Sequence, residues 1–201
     1  PPDKPCDLIY LCSPIIPTGV AMNSDLLTTW VNYALKHKAV IFFDHAYEAF
    51  INSADVPHSI FEIPGAKECA IEFRSFSKSA GFTGLRCSYT ILFKALKARY
   101  EDKEISLHTL WHRRQAAKSN GVAYPIQKGA LATLLPQGQD EIKAQINSYL
   151  TQAKALKQGL IRLGLNCYGG IDSPYIWVKT PKDKTSWEFF DELLIKCHLI
   201  S

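Results

Sequence analysis

The sequence predicts an α/β fold in which a parallel or mixed sheet is covered by helices. Short, continuous apolar runs bounded by turn signals are typical of strands buried on both faces. Segments with the 3.6-residue spacing of amphipathic helices separate these runs, as in alternating α/β folds. The predicted strands cover residues 7–12, 39–44, 69–74 and 87–93. Ligands of such sheets lie at the carboxyl ends of the strands, which are followed here by Ser13–Gly19, Asp44–Tyr47 and Ser75–Lys78.

The first predicted helix is "SDLLTTWVNYALKH", residues 24–37, with Asn23 or Ser24 as its N-cap. After the fourth strand the pattern becomes helical, and the predicted helices cover about 94–118, 123–135 and 139–164. "LNCYGG" and "PYIWVKTP" predict two further strands, and "SWEFFDELLIKC" predicts a final helix. The change of pattern near 140–150 indicates two units, 1–140 and 141–201.

Composition and charge exclude several classes of protein. Hydrophobic residues make up 47% and charged residues 21%, which is ordinary for a globular chain, and the net charge is only +4. The densest basic group, His112–Arg114 with Lys118, is interpreted as a solvated helix face, so no nucleic-acid partner is predicted. No apolar window reaches the roughly 18 residues of a membrane span. The six cysteines form neither a CxxC pair nor zinc-like spacing, which predicts free thiols, a cytoplasmic location and no metal site.

The segment "FRSFSKSAGFTGLR", residues 73–86, places a lysine just after a predicted strand. Ser75, Ser77 and Arg86 have the hydroxyl donors and planar cation suited to phosphate. The amine of Lys78 is suited to a Schiff base. A surface lysine in a Ser/Gly loop is the alternative, and spacing alone favours it.

The end of the second predicted strand carries an acid and a phenol. The carboxylate of Asp44 can hold a ring nitrogen protonated, and the hydroxyl of Tyr47 can bond a ring oxygen. A strand-end aspartate that caps a turn is an equally good explanation of Asp44. His45 lies between them, and a packed histidine is more common than a proton carrier.

These segments resemble a known family. "SPIIPTG" (13–19), "DHAYEAF" (44–50) and "SFSKSAGFTGLR" (75–86) resemble hallmark segments of the class I/II aminotransferases of fold type I. "VPHSIFEIPGAKECAIEFRSFSK" (56–78) is similar to the diaminopimelate branch, and the likeness covers essentially the whole chain. It implies that 1–140 is the C-terminal part of the large domain, with its mixed sheet and flanking helices. Residues 141–201 would be a linking helix and part of a small α+β C-terminal domain.

The resemblance implies a role for each site residue. Lys78 would bind pyridoxal 5′-phosphate and move a proton, Asp44 would pair with the ring nitrogen, and Tyr47 with the phenolic oxygen; these three form the predicted catalytic set. Asn120 matches an asparagine that reaches toward the substrate site of a neighbouring subunit, which implies a homodimer. The predicted phosphate ligands are Ser75, Ser77 and Arg86.

The implied reaction transfers an amino group between an amino acid and a 2-oxo acid. It interconverts LL-2,6-diaminopimelate plus 2-oxoglutarate with tetrahydrodipicolinate plus glutamate, in lysine biosynthesis. The alternatives are a non-catalytic remnant that serves as a binding module, another class I/II aminotransferase, and a carbon–sulfur lyase. The intact acid, phenol and lysine argue against the remnant.

The chain departs from the family at the first turn, which in the family reads Ser-Pro-Asn-Asn-Pro-Thr-Gly. Ile15 and Ile16 replace both asparagines, and Ile16 lacks the amide that would bond the phenolic oxygen of the cofactor. We therefore expect weakened cofactor binding. His45 replaces a small residue and is expected to crowd the underside of the cofactor. The termini predict a fragment of a longer product or a degenerate homologue, because the family's N-terminal phosphate loop and C-terminal carboxylate-binding arginine have no match here.

Overall fold

A mixed four-stranded sheet organises the first half of the chain. The computed structural model describes residues 1–181 and 184–201. Strands β1 (Leu8–Cys12), β2 (Val40–Asp44), β3 (Ala70–Ser75) and β4 (Ser88–Leu92) lie in the order β1-β2-β3-β4. The first three strands are parallel and β4 is antiparallel to β3, which confirms the predicted mixed sheet.

Helix α1 (Ser24–His37) links β1 to β2 and covers one face of the sheet. Its start is fixed by Asn23, whose side chain accepts the Leu26 N–H at 3.0 Å, and its end by Lys38 in the left-handed region. The apolar stripe of the helix packs on the side chains that alternate inward from β1 and β2. The core of this layer comprises Leu27, Val31, Ala34, Ile9, Leu11, Ile41 and Phe43.

The opposite face of the sheet is only partly covered, whereas the apolar runs predicted burial on both faces. Tyr10 remains 64% exposed on this face, although its neighbours in β1, Ile9 and Leu11, are buried. Helix α2 (Phe76–Ser79) follows β3 directly. The open face therefore reaches the carboxyl edge of the sheet, where the predicted site residues lie.

The predicted helix over 94–118 is wrong in its first half. Strands β5 (Lys97–Tyr100) and β6 (Lys103–Ser106) form an antiparallel hairpin, and helix α3 (Leu107–Lys118) begins only after it. Glu101 adopts a φ of 52° in the tight turn, which no helix can accommodate, and Ser106 caps α3. The ring of Trp111 in α3 lies 5.9 Å from that of Phe73, so α3 gives the open sheet face its partial cover.

The remaining elements agree with the prediction. They are α4 (Tyr124–Thr133), α5 (Pro136–Arg162), β7 (Cys167–Gly169), β8 (Ile176–Val178) and α6 (Ser186–Cys197). Helix α5 begins at Pro136 rather than at 139, because proline fits the first helical turn. Ile146 and Leu150 of α5 pack with Tyr47 and Phe50, and so attach this helix to the sheet domain. The boundary predicted at 140/141 falls inside α5 and stays a prediction.

Residues 1–181 and 184–201 contain neither a helix able to cross a membrane nor a cluster of metal ligands. None of the helices described there is both long and apolar enough to cross a membrane. The same part of the chain contains no group of three or more His, Cys, Asp or Glu side chains arranged to hold a metal ion.

A buried ion-pair network ties β3 to two neighbouring segments. The fully buried carboxylate of Glu72 accepts hydrogen bonds from the Ser59 hydroxyl at 2.8 Å and the Ile60 N–H at 2.9 Å. It also pairs with Arg74 Nε at 2.6 Å, and the Arg74 guanidinium pairs with Glu48 at 2.8 Å. Because Ser59, Ile60 and Arg74 all donate hydrogen bonds to the Glu72 carboxylate, its buried charge is compensated.

We predict that Arg74→Ala lowers the free energy of unfolding by about 3–5 kcal/mol, because it leaves a buried carboxylate without its cation. Urea denaturation measures the change. Arg99→Ala is the matched control, since the pair of Arg99 with Asp102 is exposed and should contribute less than about 1 kcal/mol. Equal, small losses in the two variants would show that the Glu72 network does not stabilise the fold.

Candidate active site

The carboxyl ends of three parallel strands meet at one edge of the sheet. Cys12 of β1 pairs in register with Asp44 of β2, and Asp44 pairs with Phe73 of β3. The segments that follow these strands carry the first turn, the acid and phenol, and the lysine. The fold thus brings together the three segments that the sequence singled out, at the edge where such sheets bind ligands.

Asp44 projects from the open face of the sheet. Its Oδ2 accepts the Tyr10 hydroxyl at 2.7 Å, and its Oδ1 accepts the Ala46 N–H at 3.3 Å. The hydrogen bond to Asp44, followed by burial, raises the pKa of Tyr10 to about 12. Sequence reasoning missed Tyr10, although strand alternation places it on the same face as Cys12. Asp44 is therefore a half-buried acceptor held in place by a neighbouring phenol.

Tyr47 and Lys78 lie close together in the structure. The ammonium of Lys78 is 5.6 Å from the centre of the Tyr47 ring, within the range of a cation–π contact, and Lys78 itself is exposed. The buried Tyr47 hydroxyl lies 2.5 Å from that of Tyr175, which sequence reasoning also missed. Burial, and then the hydrogen bond with Tyr175, raise the pKa of Tyr47. The phenol therefore stays protonated and able to donate.

The predicted phosphate ligands follow β3. Ser75 caps α2 by accepting the Ser77 N–H at 3.1 Å. The Thr83 hydroxyl donates to the Ser77 carbonyl at 3.3 Å, and the exposed Arg86 guanidinium donates to the Thr83 carbonyl. Thr83 thus connects Ser77 with Arg86. The binding of phosphate by Ser75, Ser77 and Arg86 stays a prediction.

The first turn is a compact scaffold beside Asp44. The buried hydroxyl of Ser13 accepts the Met22 N–H at 2.8 Å, and the Gly19 N–H donates to the Ile15 carbonyl at 2.8 Å. Ile16 is 46% exposed at this turn. Its side chain offers no hydrogen bond, so the structure keeps the turn but supplies no amide donor there.

His45 is a packed core residue rather than a group facing the open side. Its Nδ1 bonds the Ser13 carbonyl, its ring lies 4.8 Å from that of Phe43, and burial lowers its pKa. Among the described residues its buried Nε2 has no partner. Asp44 and His45 follow each other in the chain and therefore face opposite sides of the sheet. The expected crowding of a cofactor by His45 stays a prediction.

Asn120 lies just after the end of α3, exposed and with a φ of 53°. Its predicted role toward a neighbouring subunit stays a prediction, because the structure contains one chain.

The open face of the sheet forms a cavity beside Asp44. It has a volume of about 400 Å³, within the range of roughly 300–1,000 Å³ that is common for small-molecule sites. Its lining includes Asp44, Ser75, Tyr10, Phe42 and Phe73, whereas Tyr47, Ser77, Lys78 and Arg86 lie outside it. Of the residues predicted to hold pyridoxal 5′-phosphate, Asp44 and Ser75 lie in this lining, and their side chains have the chemistry to bind a ring nitrogen and a phosphate.

Comparison with known proteins identifies the family of the chain. The family model described as aminotransferase class I and II matches residues 1–200. LL-diaminopimelate aminotransferase of Bacteroides fragilis is 50% identical over 200 residues, which are 99% of this chain and 49% of that protein. The enzyme of the same name from Bacteroides thetaiotaomicron is 51% identical over 200 residues, again 99% of this chain and 49% of that protein. The chain thus spans about half the length of the curated relatives it matches.

Solved structures give the same result for the fold. L,L-diaminopimelate aminotransferase from Chlamydomonas reinhardtii superposes with a TM-score of 0.91 at 43% identity, covering 98% of this chain and 48% of that one. An aminotransferase from Staphylococcus aureus, at 24% identity, shares the fold with a TM-score of 0.81 over 96% of this chain and 48% of its own. The fold is therefore that of the fold-type I transferases, and the chain belongs to the class I and II aminotransferase family, whose members depend on pyridoxal 5′-phosphate.

Proposed function

We propose that this chain is the cofactor-binding part of an aminotransferase that acts on LL-2,6-diaminopimelate and 2-oxoglutarate. The products are tetrahydrodipicolinate and glutamate, in lysine biosynthesis, and the full protein is a cytoplasmic homodimer. The observation that carries the chemistry is the assembly of Asp44, Tyr47 and Lys78 at one sheet edge, with the amine 5.6 Å from the phenol ring. The choice of substrate rests on the names of relatives at about 50% identity.

The residues of this chain have separate tasks. The cofactor, when bound, supplies an electron sink for negative charge at the substrate α-carbon. Asp44 would accept a hydrogen bond from the ring N–H and so favour its protonated form. Tyr47 would donate to the phenolic oxygen. The amine of Lys78 would attach the cofactor and then take the proton from the substrate α-carbon.

The phosphate would be held at the end of β3. Hydroxyl groups of Ser75 and Ser77 can donate to phosphate oxygens, and the guanidinium of Arg86 can bind two of them at once. Arg86 would have to exchange its bond with the Thr83 carbonyl for the phosphate. Its exposed position leaves it free to do so.

A second candidate is a non-catalytic remnant of the family that keeps the fold as a binding module. The observation that favours it is the turn at Ile15 and Ile16, where the family has two asparagines and this chain offers no side-chain amide. The two candidates differ in whether the chain binds the cofactor through lysine.

We predict that pyridoxal 5′-phosphate gives this protein a visible absorption band and that Lys78→Ala abolishes it, because the band requires the covalent bond to the amine. Borohydride should fix the cofactor on the Lys78 peptide, as read by mass spectrometry. Lys143→Ala, an exposed lysine of α5, is the matched control and should keep the band. A band that survives in Lys78→Ala contradicts the assignment, and no band in the unaltered protein favours the remnant.

We predict that Ile16→Asn tightens binding of the cofactor by about 0.5–1.5 kcal/mol, because the new amide can donate to the phenolic oxygen. Fluorescence or absorbance titration should show a Kd that is lower by roughly two- to tenfold. Ile15→Asn changes the neighbouring side chain and serves as control, with no comparable gain expected. The interpretation of the turn is wrong if the two variants behave alike.

A further inference from the structure

The loop between β7 and β8 lies directly against the first turn. Both Gly19 and Gly169 have positive φ, 68° and 72°, and a Cβ on either one would collide with the carbonyl oxygen of Tyr175. The backbones of the two loops therefore approach as closely as only glycine permits.

Two further contacts hold this loop in place. Asp172, only 7% exposed, accepts the Asn52 N–H at 2.7 Å, and the Ser53 N–H and Ser53 hydroxyl at 2.8 Å each. At the end of β7, just before the loop, Lys157 Nζ donates to the Gly169 carbonyl at 2.5 Å. Since Asn52 and Ser53 follow the 3₁₀ turn that begins after Tyr47, the loop is anchored to the segment that carries the phenol.

Tyr175 uses this anchored position to contact the site. Its hydroxyl lies 2.5 Å from the Tyr47 hydroxyl, and the two rings meet edge to face at 5.3 Å and 75°. A phenol has one proton to donate and can also accept a hydrogen bond. When Tyr175 donates to the Tyr47 oxygen, the proton of Tyr47 is free for a third group, and such chains of hydrogen bonds strengthen each link.

We propose that Tyr175 is a positioning residue whose hydroxyl donates to Tyr47 and directs the proton of Tyr47 toward the phenolic oxygen of the cofactor. The cofactor half of this inference rests on the proposed function. The hydrogen bond from Tyr47 matters more in this chain than in family members with asparagines at the first turn, because Ile16 provides no second donor for the phenolic oxygen. Tyr175 would thereby connect the loop that precedes β8 with the candidate site at the sheet edge.

The first test uses the protein loaded with pyridoxal 5′-phosphate and follows the visible band as a function of pH. A donor to the phenolic oxygen stabilises the unprotonated form of the lysine-bound cofactor. Loss of the donor therefore raises the pH at the midpoint of the spectral titration. We expect Tyr47→Phe to raise it, and Tyr175→Phe to raise it by about 0.5–1 pH unit, the equivalent of one hydrogen bond. The double variant should match Tyr47→Phe alone, because Tyr175 acts through Tyr47. Tyr168→Phe, which removes an exposed phenol hydroxyl from β7, should leave the midpoint unchanged.

An unchanged midpoint in Tyr175→Phe, or shifts that add in the double variant, would overturn the inference. The second test needs no cofactor: the protein is labelled with ¹³C at tyrosine Cζ, and the Tyr47 resonance is assigned by its loss in Tyr47→Phe. Tyr175→Phe should move this resonance and Tyr168→Phe should not. An unmoved resonance overturns the inference even if the cofactor does not bind, whereas a missing visible band with a moved resonance counts against the proposed function alone.

Discussion

The guanidinium of Arg74 joins the two segments on which the candidate site depends. It pairs with Glu72 on β3, three residues before the strand ends, and with Glu48, the residue after Tyr47. The network therefore ties the segment that carries Tyr47 to the strand that precedes Lys78, and at its centre Glu72 is fully buried and requires its cation. His58 completes the network by bonding Glu48 at 2.7 Å and by offering its carbonyl to Arg74.

The sheet then assigns each side chain to a face. Asp44 and His45 are neighbours in the chain, yet the acid bonds Tyr10 on the open side while the histidine packs on Phe43 on the side of α1. A strand with a period of two separates a ligand-facing acid from a core residue in a single step. Parallel pairing with β1 and β3 places Asp44 between the first turn and the lysine segment.

Local patterns were sufficient for most helices and strands, but they only marked candidate site residues, whose predicted roles came from the resemblance to a family. The apolar runs, the helical spacing of α1 and its cap at Asn23 all follow from neighbouring residues, and Lys78, Asp44 and Tyr47 stand at strand ends. The hairpin β5–β6 could not be predicted, because a charged segment with few apolar residues has no clear period. Tyr175 could not be predicted either, since it lies 128 residues from Tyr47 and meets it only through tertiary structure.

The central claim is that this sheet edge binds pyridoxal 5′-phosphate with its ring oriented by Asp44 and Tyr47. A crystal structure of the protein after reduction of the bound cofactor with borohydride tests it most directly. We expect continuous density from Lys78 Nζ to the cofactor, with the ring nitrogen about 2.7–3.2 Å from an Asp44 oxygen and the phenolic oxygen bonded to Tyr47. Density on another lysine, or a ring whose nitrogen points away from Asp44, would contradict it.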